Sequence, residues 1–148
     1  PVGSRALGSL RIEKGYGSWG REYSPEYWPH EVGLDRLIKD DKEFHNKDAW
    51  LAVKDKPARE KLVALEIDAD KADATGGEPI FLPDGTPVGQ ITSGAFGYSV
   101  GRSLALGYVK APLARAGAAL NVAILGLDHS ARLLAEPPFD PSGARLRS

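Results

Sequence analysis

Cysteine and methionine are both absent from these 148 residues. The lack of cysteine excludes disulfide bonds, thiol nucleophiles and every metal site that needs a thiolate ligand. Long apolar runs are missing as well. Residues 117–127, one of the longest such runs, fall well short of the roughly 20 apolar residues that a transmembrane helix requires. We therefore expect a soluble chain without a membrane span.

An excess of either charge is also lacking. Nineteen basic residues stand against 20 acidic ones, which gives a net charge of −1. Such a chain has no overall positive field to attract a phosphate backbone, so we expect no nucleic-acid partner. The 42% hydrophobic share predicts a globular core. A start at Pro1 without any methionine is typical of a processed chain or of part of a larger protein, so we expect a further upstream domain or subunit.

The chain divides into two compositional halves, and the change falls near Pro57 in a charged stretch. We predict one unit over residues 1–57 and a second over residues 58–148. The first half holds most of the aromatic residues among glycines and prolines, which indicates short, irregular elements. Three such elements are predicted: a helix over residues 6–13 with Leu7, Leu10 and Ile12 inward, a strand over residues 31–38, and a helix capped by Asn46 or Asp48.

The second half shows short apolar runs separated by turn residues at intervals of roughly ten residues, which is typical of a sandwich or barrel. Asp84-Gly85 is a hairpin signal, because the favoured two-residue turn needs positive φ at both central positions. The Thr92-Ser93-Gly94 segment is interpreted as the end of a strand. The predicted strands are residues 62–67, 79–82, 87–91, 102–109, 119–125 and 130–135.

Residues 15–20 match the pattern G-x-G-x-x-G, which in a dinucleotide-binding fold opens a helix after a buried strand. Charged residues precede this motif and prolines follow it closely, so a nucleotide-binding module is our last-ranked hypothesis. A tight turn that carries aromatic side chains fits the segment better.

The three histidines, His30, His45 and His129, stand far apart and show no metal-ligand spacing. We predict no metal site and treat each histidine as structural. No G-x-S-x-G elbow supports acyl transfer. The mixed-charge residues 39–42 are by default a solvated turn.

Several segments of the chain are collinear with one known family. These segments are residues 5–16, 19–22, 24–27, 33–34, 39–45, 92–97, 103–109, 137–141 and 145–147. They resemble the folate-binding region of the glycine-cleavage T-protein (aminomethyltransferase) family, especially the branch fused to sarcosine and dimethylglycine dehydrogenases. The resemblance implies an α+β, mainly antiparallel β structure, in which the end of a folate-binding lobe precedes a C-terminal six-stranded-type barrel.

In that family the position of Glu13 supplies the carboxylate that holds the pterin ring. A pterin presents two adjacent N–H donors that a carboxylate accepts as a pair. The resemblance implies that Tyr16 and Trp19 form the walls of the slot, and that Lys42, beside Lys39, meets the glutamate tail, with Arg145 as a weaker candidate. Without the resemblance, the sequence would predict that Glu13 is an ordinary exposed carboxylate at a helix end.

The implied reaction is transfer of a one-carbon unit from a small amine to tetrahydrofolate. The acid/base aspartate of the family lies outside this sequence, so no catalytic residue is assigned and the chain alone is expected to be inactive. FAD is implied only for a domain outside the chain. The implied location is cytoplasmic, or the mitochondrial matrix in a eukaryote. The alternative is a non-catalytic structural or interaction barrel without folate binding.

Overall fold

The computed structural model describes residues 1–148, and its centre is a closed, six-stranded antiparallel β-barrel. Around the barrel the strands follow the order β1-β4-β3-β2-β5-β6, and β6 closes on β1. This barrel confirms the predicted fold class. The elements are α1 (Ser4–Glu13), α2 (Lys47–Leu51), β1 (Glu60–Ile67), β2 (Pro79–Phe81), β3 (Pro87–Gly97), β4 (Arg102–Lys110), β5 (Ala119–Ile124) and β6 (Leu127–Leu133).

The interior of the barrel is filled by every second residue of its strands, because successive side chains of a strand point to opposite faces. On β1, Val63, Leu65 and Ile67 belong to this core, and on β5 Leu120 and Val122 face them. The core consists of 14 buried apolar residues. The period-two pattern in the second half of the sequence is therefore the direct cause of the barrel.

The outer wall of the barrel is covered on one side by the first half of the chain. All residues of β4 from Ser103 to Val109 are buried, on both faces of the strand. Ile12 of α1 packs with Leu104 and Leu106 in a second apolar cluster. Farther along, the ring of Tyr27 stacks on Tyr108 with centroids 3.7 Å apart. The aromatic first half thus forms a layer against β4.

Helix α1 was correctly predicted, but two of its three expected core residues are not in the core. Ile12 is buried, whereas Leu7 and Leu10 are about half exposed. The helix rests on the barrel along a narrow stripe that contains Ser9, Ile12 and Glu13. The prediction of inward Leu7 and Leu10 was wrong because a polar residue and a carboxylate occupy the contact face.

The strand predicted over residues 31–38 is absent. This segment consists of turns followed by one turn of 3₁₀-helix at Asp35–Leu37. Most of its backbone hydrogen bonds are local, such as those from the Leu34 N–H to the Pro29 carbonyl and from the Ile38 N–H to the Asp35 carbonyl. A single bond reaches β1, from the Leu62 N–H to the Glu31 carbonyl. The few apolar residues of this segment do not form a ladder with any neighbouring strand. Helix α2 does follow Asn46, although the Asn46 side chain makes no capping hydrogen bond.

Strand β3 continues six residues beyond the predicted end at Ile91, so the interpretation of residues 92–94 as a strand end was wrong. The register against β4 shifts between Ile91 and Ser93, which marks a β-bulge with Thr92 as the extra residue. Small and polar residues in this segment resemble a turn in sequence. In the fold they form a bulge in the middle of the strand.

The predicted hairpin at Asp84-Gly85 is confirmed, but its turn is not the two-residue type. Gly85 has φ of +85° and Asp84 does not have positive φ. The Leu82 N–H donates to the Thr86 carbonyl, and the Asp84 carboxylate accepts from the Thr86 N–H at 2.9 Å. The loop is therefore longer than a type I′ turn.

The two-residue turn with positive φ lies instead between β5 and β6. Leu125 has φ of +50° and Gly126 has φ of +81°, and the Leu125 side chain is 87% exposed. A left-handed conformation is strained for leucine, whereas asparagine and glycine adopt it readily.

We expect Leu125→Asn to stabilise the chain by about 1 kcal/mol, because the strain is removed and no buried contact is lost. Urea unfolding followed by tryptophan fluorescence measures this change. Leu127→Asn is the matched control, since Leu127 is also exposed but lacks positive φ, and it should give no gain. Equal effects of the two substitutions would contradict the assignment of strain.

Candidate functional site

The last turn of α1 places Glu13 under the hairpin that joins β3 to β4. Glu13 is 1% exposed, and its Oε1 accepts a hydrogen bond from the Ser99 N–H at 2.6 Å. The other carboxylate oxygen, Oε2, is buried and has no hydrogen-bond partner. A buried carboxylate oxygen without a partner is unusual in a folded protein. This residue is therefore not the exposed helix-end carboxylate that its sequence position alone suggests.

The approach of α1 to the hairpin depends on Gly97. A Cβ atom on this residue would lie 3.0 Å from the Glu13 Cγ and 2.8 Å from a methyl carbon of Leu104. Ser9, one turn earlier on the helix, donates to the Phe96 carbonyl at 2.7 Å. The end of β3 thus holds two positions of α1, and the Glu13 carboxylate has little freedom to move.

The turn after α1 is anchored by Glu22, a residue for which the sequence suggested no role. Glu22 is completely buried. Its Oε2 accepts from the Ser18 N–H at 2.7 Å and faces an Arg11 guanidinium nitrogen at 3.4 Å. Its Oε1 accepts from the hydroxyls of Thr92 at 2.6 Å and Ser93 at 2.5 Å. The carboxylate therefore connects α1, the turn after α1 and β3.

The bulge in β3 makes this arrangement possible. Successive residues of a regular strand point to opposite faces, so Thr92 and Ser93 could not both reach one carboxylate. The extra residue of the bulge turns both hydroxyls toward Glu22. Arg11 completes the network, because it also donates to the Ser93 hydroxyl at 2.7 Å and to the Tyr16 carbonyl at 3.2 Å.

The environment of Glu22 favours its ionised form. Burial acts to raise the pKa of this carboxyl. Hydrogen bonds from Ser18, Ser93 and Thr92, together with the charge of Arg11, outweigh burial and hold the pKa below its usual value. The Tyr108 hydroxyl donates to the Glu22 backbone carbonyl, so the main chain is fixed as well. The ionised Glu22 side chain therefore fixes the turn after α1 to the barrel.

The two aromatic residues predicted to wall a pterin slot lie at the surface. Tyr16 is 52% exposed and Trp19 is 88% exposed. No hydrogen bond or aromatic contact joins either ring to Glu13. The main chain between them is ordered by bonds to the Ser18 carbonyl and by a bridge from Trp19 to Tyr23. Both rings are therefore available at the surface next to α1.

The predicted tail-binding cations are also exposed. Lys42 lies in a turn in which its N–H donates to the Lys39 carbonyl, and neither lysine side chain makes an ion pair. Between them in sequence, Asp40 accepts from Trp50 and Lys54. Arg145 lies over the ring of Phe139 with its guanidinium carbon 5.2 Å from the centroid. The structure does not bring Lys42 or Arg145 into contact with Glu13.

A third buried carboxylate, that of Glu31, joins the first half of the chain to the start of β1. It accepts from the guanidinium of Arg59 at 2.9 and 2.6 Å and from the N–H groups of Trp28 and Arg59. The hydrogen bonds from Arg59 are the main reason that the pKa of Glu31 falls to about 2. The guanidinium of Arg59 also stacks over the Trp28 ring.

We expect Glu31→Gln to destabilise the chain by about 2 kcal/mol at neutral pH, a modest value because water screens the half-exposed Arg59. Since the pKa of Glu31 is lowered on folding, its contribution is complete above about pH 4.5 and is lost as the pH falls toward 2. Urea unfolding at a series of pH values measures this. In Glu31→Gln the decline in stability below pH 4.5 should be smaller, whereas the surface control Glu43→Gln should behave like wild type.

No helix of the structure is long and apolar enough to cross a membrane, and no group of three or more His, Asp or Glu residues is placed to hold a metal ion. Of the three histidines, His30 lies between Trp28 and Trp50, and both of its ring nitrogens are buried without a partner. His129 Nδ1 lies 3.1 Å from the Asp68 carbonyl.

Comparison with known proteins identifies the barrel. Residues 60–140 match the family model described as the glycine cleavage T-protein C-terminal barrel domain. Mitochondrial dimethylglycine dehydrogenase of Rattus norvegicus is 36% identical over 98% of this chain and 17% of its own length. Aminomethyltransferase of Thermotoga petrophila is 37% identical over 94% of this chain and 37% of its own length. The chain therefore spans well under half the length of these relatives.

A solved structure, that of the glycine cleavage system aminomethyltransferase T from Bartonella henselae, shares the fold. It superposes with a TM-score of 0.83 at 24% sequence identity, over 92% of this chain and 38% of that one. The sequence resemblance, the closed six-stranded barrel and these matches agree. The chain belongs to the family of the glycine cleavage T-protein C-terminal barrel domain, which dimethylglycine dehydrogenases and aminomethyltransferases share.

Proposed function

We propose that this chain is the C-terminal part of a tetrahydrofolate-dependent enzyme of the aminomethyltransferase or dimethylglycine dehydrogenase type. In this proposal Glu13 holds the pterin ring of the folate. The observation that carries it is the Glu13 carboxylate, which is buried on a rigid support and has one oxygen without a donor. It occupies the position at which the resemblance implies a pterin-binding carboxylate.

The donor set of a pterin fits this carboxylate. An exocyclic amine and an adjacent ring N–H are two donors side by side, and an ionised carboxylate accepts both as a charge-assisted pair. Ser99 already uses Oε1, which retains acceptor capacity, and Oε2 is free. Because Oε2 is shielded from solvent, a ligand reaches it when the hairpin residues 98–101 move aside.

The role proposed for the chain is binding and orientation rather than proton transfer. When bound, tetrahydrofolate supplies the nitrogen atoms that capture a one-carbon unit from an amine. Glu13 would fix the rotation of the pterin in its plane, and the exposed rings of Tyr16 and Trp19 would cover its faces. The exposed Lys42 and Arg145 are proposed to meet the carboxylates of the glutamate tail. No residue of this chain is assigned to acid or base catalysis.

The remaining parts of the activity are proposed to lie outside these residues. The relatives named dimethylglycine dehydrogenase and aminomethyltransferase are longer proteins, and this chain covers only 17% and 37% of their lengths. A flavin domain would make the whole protein a dehydrogenase, whereas its absence would make it a transferase. We propose the mitochondrial matrix as the location in a eukaryote and the cytoplasm in a bacterium or archaeon.

The proposal is tested on the natural polypeptide that carries these 148 residues. Calorimetric titration with (6S)-tetrahydrofolate should show saturable binding. Methylenetetrahydrofolate should form when an aminomethyl donor is added, or when dimethylglycine or sarcosine is added together with an electron acceptor that takes up the two electrons of N-methyl oxidation. Which donor is active separates the dehydrogenase from the transferase. Absence of folate binding at concentrations up to about 1 mM would contradict the proposal and would favour a barrel with a purely structural role.

A further inference from the structure

Helix α1 carries apolar side chains on two sides, and the barrel covers only one of them. Ile12 lies on the side that contacts β3 and β4. Leu7 and Leu10 lie away from that side, and their spacing of three residues places them next to each other on the helix surface. They are 57% and 51% exposed. We refer to this pair as the α1 leucine face.

The α1 leucine face has no place in the hydrophobic core. Neither leucine belongs to the apolar cluster inside the barrel or to the second cluster that contains Ile12. The chain around the start of the helix is open as well: Val2 is 64% exposed, and a Cβ atom on Gly3 or Gly8 would have no neighbouring atom within 4 Å. One flank of α1 therefore faces solvent over most of its length.

Such an arrangement is typical of a helix that lies between two layers. A helix that is covered on one side only carries polar residues on its outer side. Full burial of a leucine side chain stabilises a protein by about 1.5–3 kcal/mol, and the two exposed leucines of α1 gain only part of this. The pattern indicates a second apolar layer that these 148 residues do not contain.

Size argues against a second copy of this chain as that layer. Helix α1 has ten residues, so it is about 15 Å long and its outer side offers on the order of 150 Å². A stable contact between separate molecules buries about 800 Å² on each partner. A partner in the same polypeptide needs far less area, because covalent linkage gives an effective concentration in the millimolar range. The occupant that fits is therefore a covalently linked one.

The position of α1 in the chain makes this linkage short. Ser4, the first residue of the helix, follows Pro1 by three residues. The matched family model is a C-terminal barrel domain, and more than half of the length of the longer relatives lies outside the part that this chain covers. A region upstream of Pro1 would thus be joined directly to the α1 leucine face.

We propose that the α1 leucine face docks onto an apolar surface of the region that precedes Pro1 in the natural polypeptide. The inference rests on the proposed function in one respect, namely that this chain is the C-terminal part of a longer protein. It does not involve the folate contact, because Glu13 lies on the barrel side of α1. Docking would hold α1 between the barrel and the upstream region.

Site-specific labelling of the natural polypeptide tests the docking. The 148 residues contain no cysteine, so Leu7→Cys and Leu10→Cys each place a single thiol on the α1 leucine face. Labelling with N-ethylmaleimide, in the absence of folate, is followed by mass spectrometry of the tryptic peptide over residues 6–11. Leu127→Cys is the matched control, since Leu127 is an exposed leucine on β6. Each α1 thiol should react at least about tenfold more slowly than the control, and a smaller difference would overturn the proposal.

A second substitution tests whether the leucines themselves drive the docking. Leu7→Cys is combined with Leu10→Asp, because a buried aspartate without a partner opposes docking. Labelling of the Leu7→Cys thiol should then be at least about tenfold faster, whereas Leu7→Cys combined with Leu127→Asp should keep its protection. The melting temperature of each variant shows that the barrel is folded. Unchanged protection in the Leu10→Asp variant would overturn the proposal.

The same labelling identifies the occupant and separates this proposal from the folate contact. Protection should not change over about a hundredfold dilution, because the contact is intramolecular, and its loss on dilution would show a second copy instead and overturn the proposal. Slow labelling of both α1 thiols in a polypeptide that does not bind folate would support the docking and contradict the folate contact. Rapid labelling in a polypeptide that binds folate would overturn the docking and leave the folate contact in place.

Discussion

Glu13→Gln is expected to weaken the binding of (6S)-tetrahydrofolate by about 100-fold. The substitution keeps the shape of the side chain, and the amide oxygen can still accept from the Ser99 N–H. It places an NH₂ group where the second carboxylate oxygen is, so a donor of the pterin would face another donor. Two effects together account for roughly 3 kcal/mol: one charge-assisted hydrogen bond is lost, and a pterin N–H is left without an acceptor.

Calorimetry on the natural polypeptide measures this effect. Glu26→Gln is the matched control, because the Glu26 side chain is exposed and makes no hydrogen bond. The melting temperature of each variant shows whether the fold is intact. An affinity of Glu13→Gln within twofold of wild type, in a folded protein, would remove Glu13 from the proposed site.

Glu22→Leu is expected to destabilise the chain by about 4 kcal/mol, the largest stability effect we predict. Leucine has a similar volume but accepts no hydrogen bond. The Ser18 N–H and the Ser93 hydroxyl would lose their acceptor, and the Arg11 guanidinium would lose the carboxylate that pairs with it. The Thr92 hydroxyl would keep its bond to the Leu106 carbonyl. Two donors without an acceptor and one charge without its partner, all in a buried network, make the cost large.

Glu22→Gln separates the loss of charge from the loss of acceptors. The two hydroxyls can rotate to accept from the new amide, while the amide oxygen keeps the bond from Ser18. We expect a smaller destabilisation, about 2 kcal/mol, and a weaker decline of stability in acid, because the lowered pKa of Glu22 makes its contribution vanish as the pH falls. Urea unfolding measures both variants. Equal effects of Glu22→Leu and Glu22→Gln would contradict the proposed network.

The barrel was predictable because its signal is local. Strands such as β1 and β5 carry their own alternation of buried and less buried residues. All six strands predicted after residue 57 are present. Errors arose where a distant contact overrides a local pattern. The segment Thr92-Ser93-Gly94 looks like a turn, and it stays in β3 because the bulge directs two hydroxyls to Glu22, 70 residues away. Asp84-Gly85 marked a hairpin correctly, whereas the turn type depended on the surrounding strands.

The candidate site was less predictable from the residues. Family resemblance marked Glu13, yet nothing local to it predicts burial, since Leu7 and Leu10 are the apolar residues of α1 and they face solvent. Glu22 escaped notice because its partners come from three separate segments of the chain. The one sequence signal that could have indicated its role is the pair of polar residues, Thr92 and Ser93, inside the otherwise mostly apolar strand β3. The unit boundary at residue 57 stays a prediction.

Direct contact between Glu13 and the pterin is tested by a crystal structure of the natural polypeptide with bound (6S)-tetrahydrofolate. We expect two donor nitrogens of the pterin to lie within about 3.2 Å of the Glu13 carboxylate oxygens. We also expect the hairpin residues 98–101 to have moved to admit the ring. A folate bound with its pterin more than about 5 Å from Glu13, beyond hydrogen-bond reach, would rule out this role of Glu13.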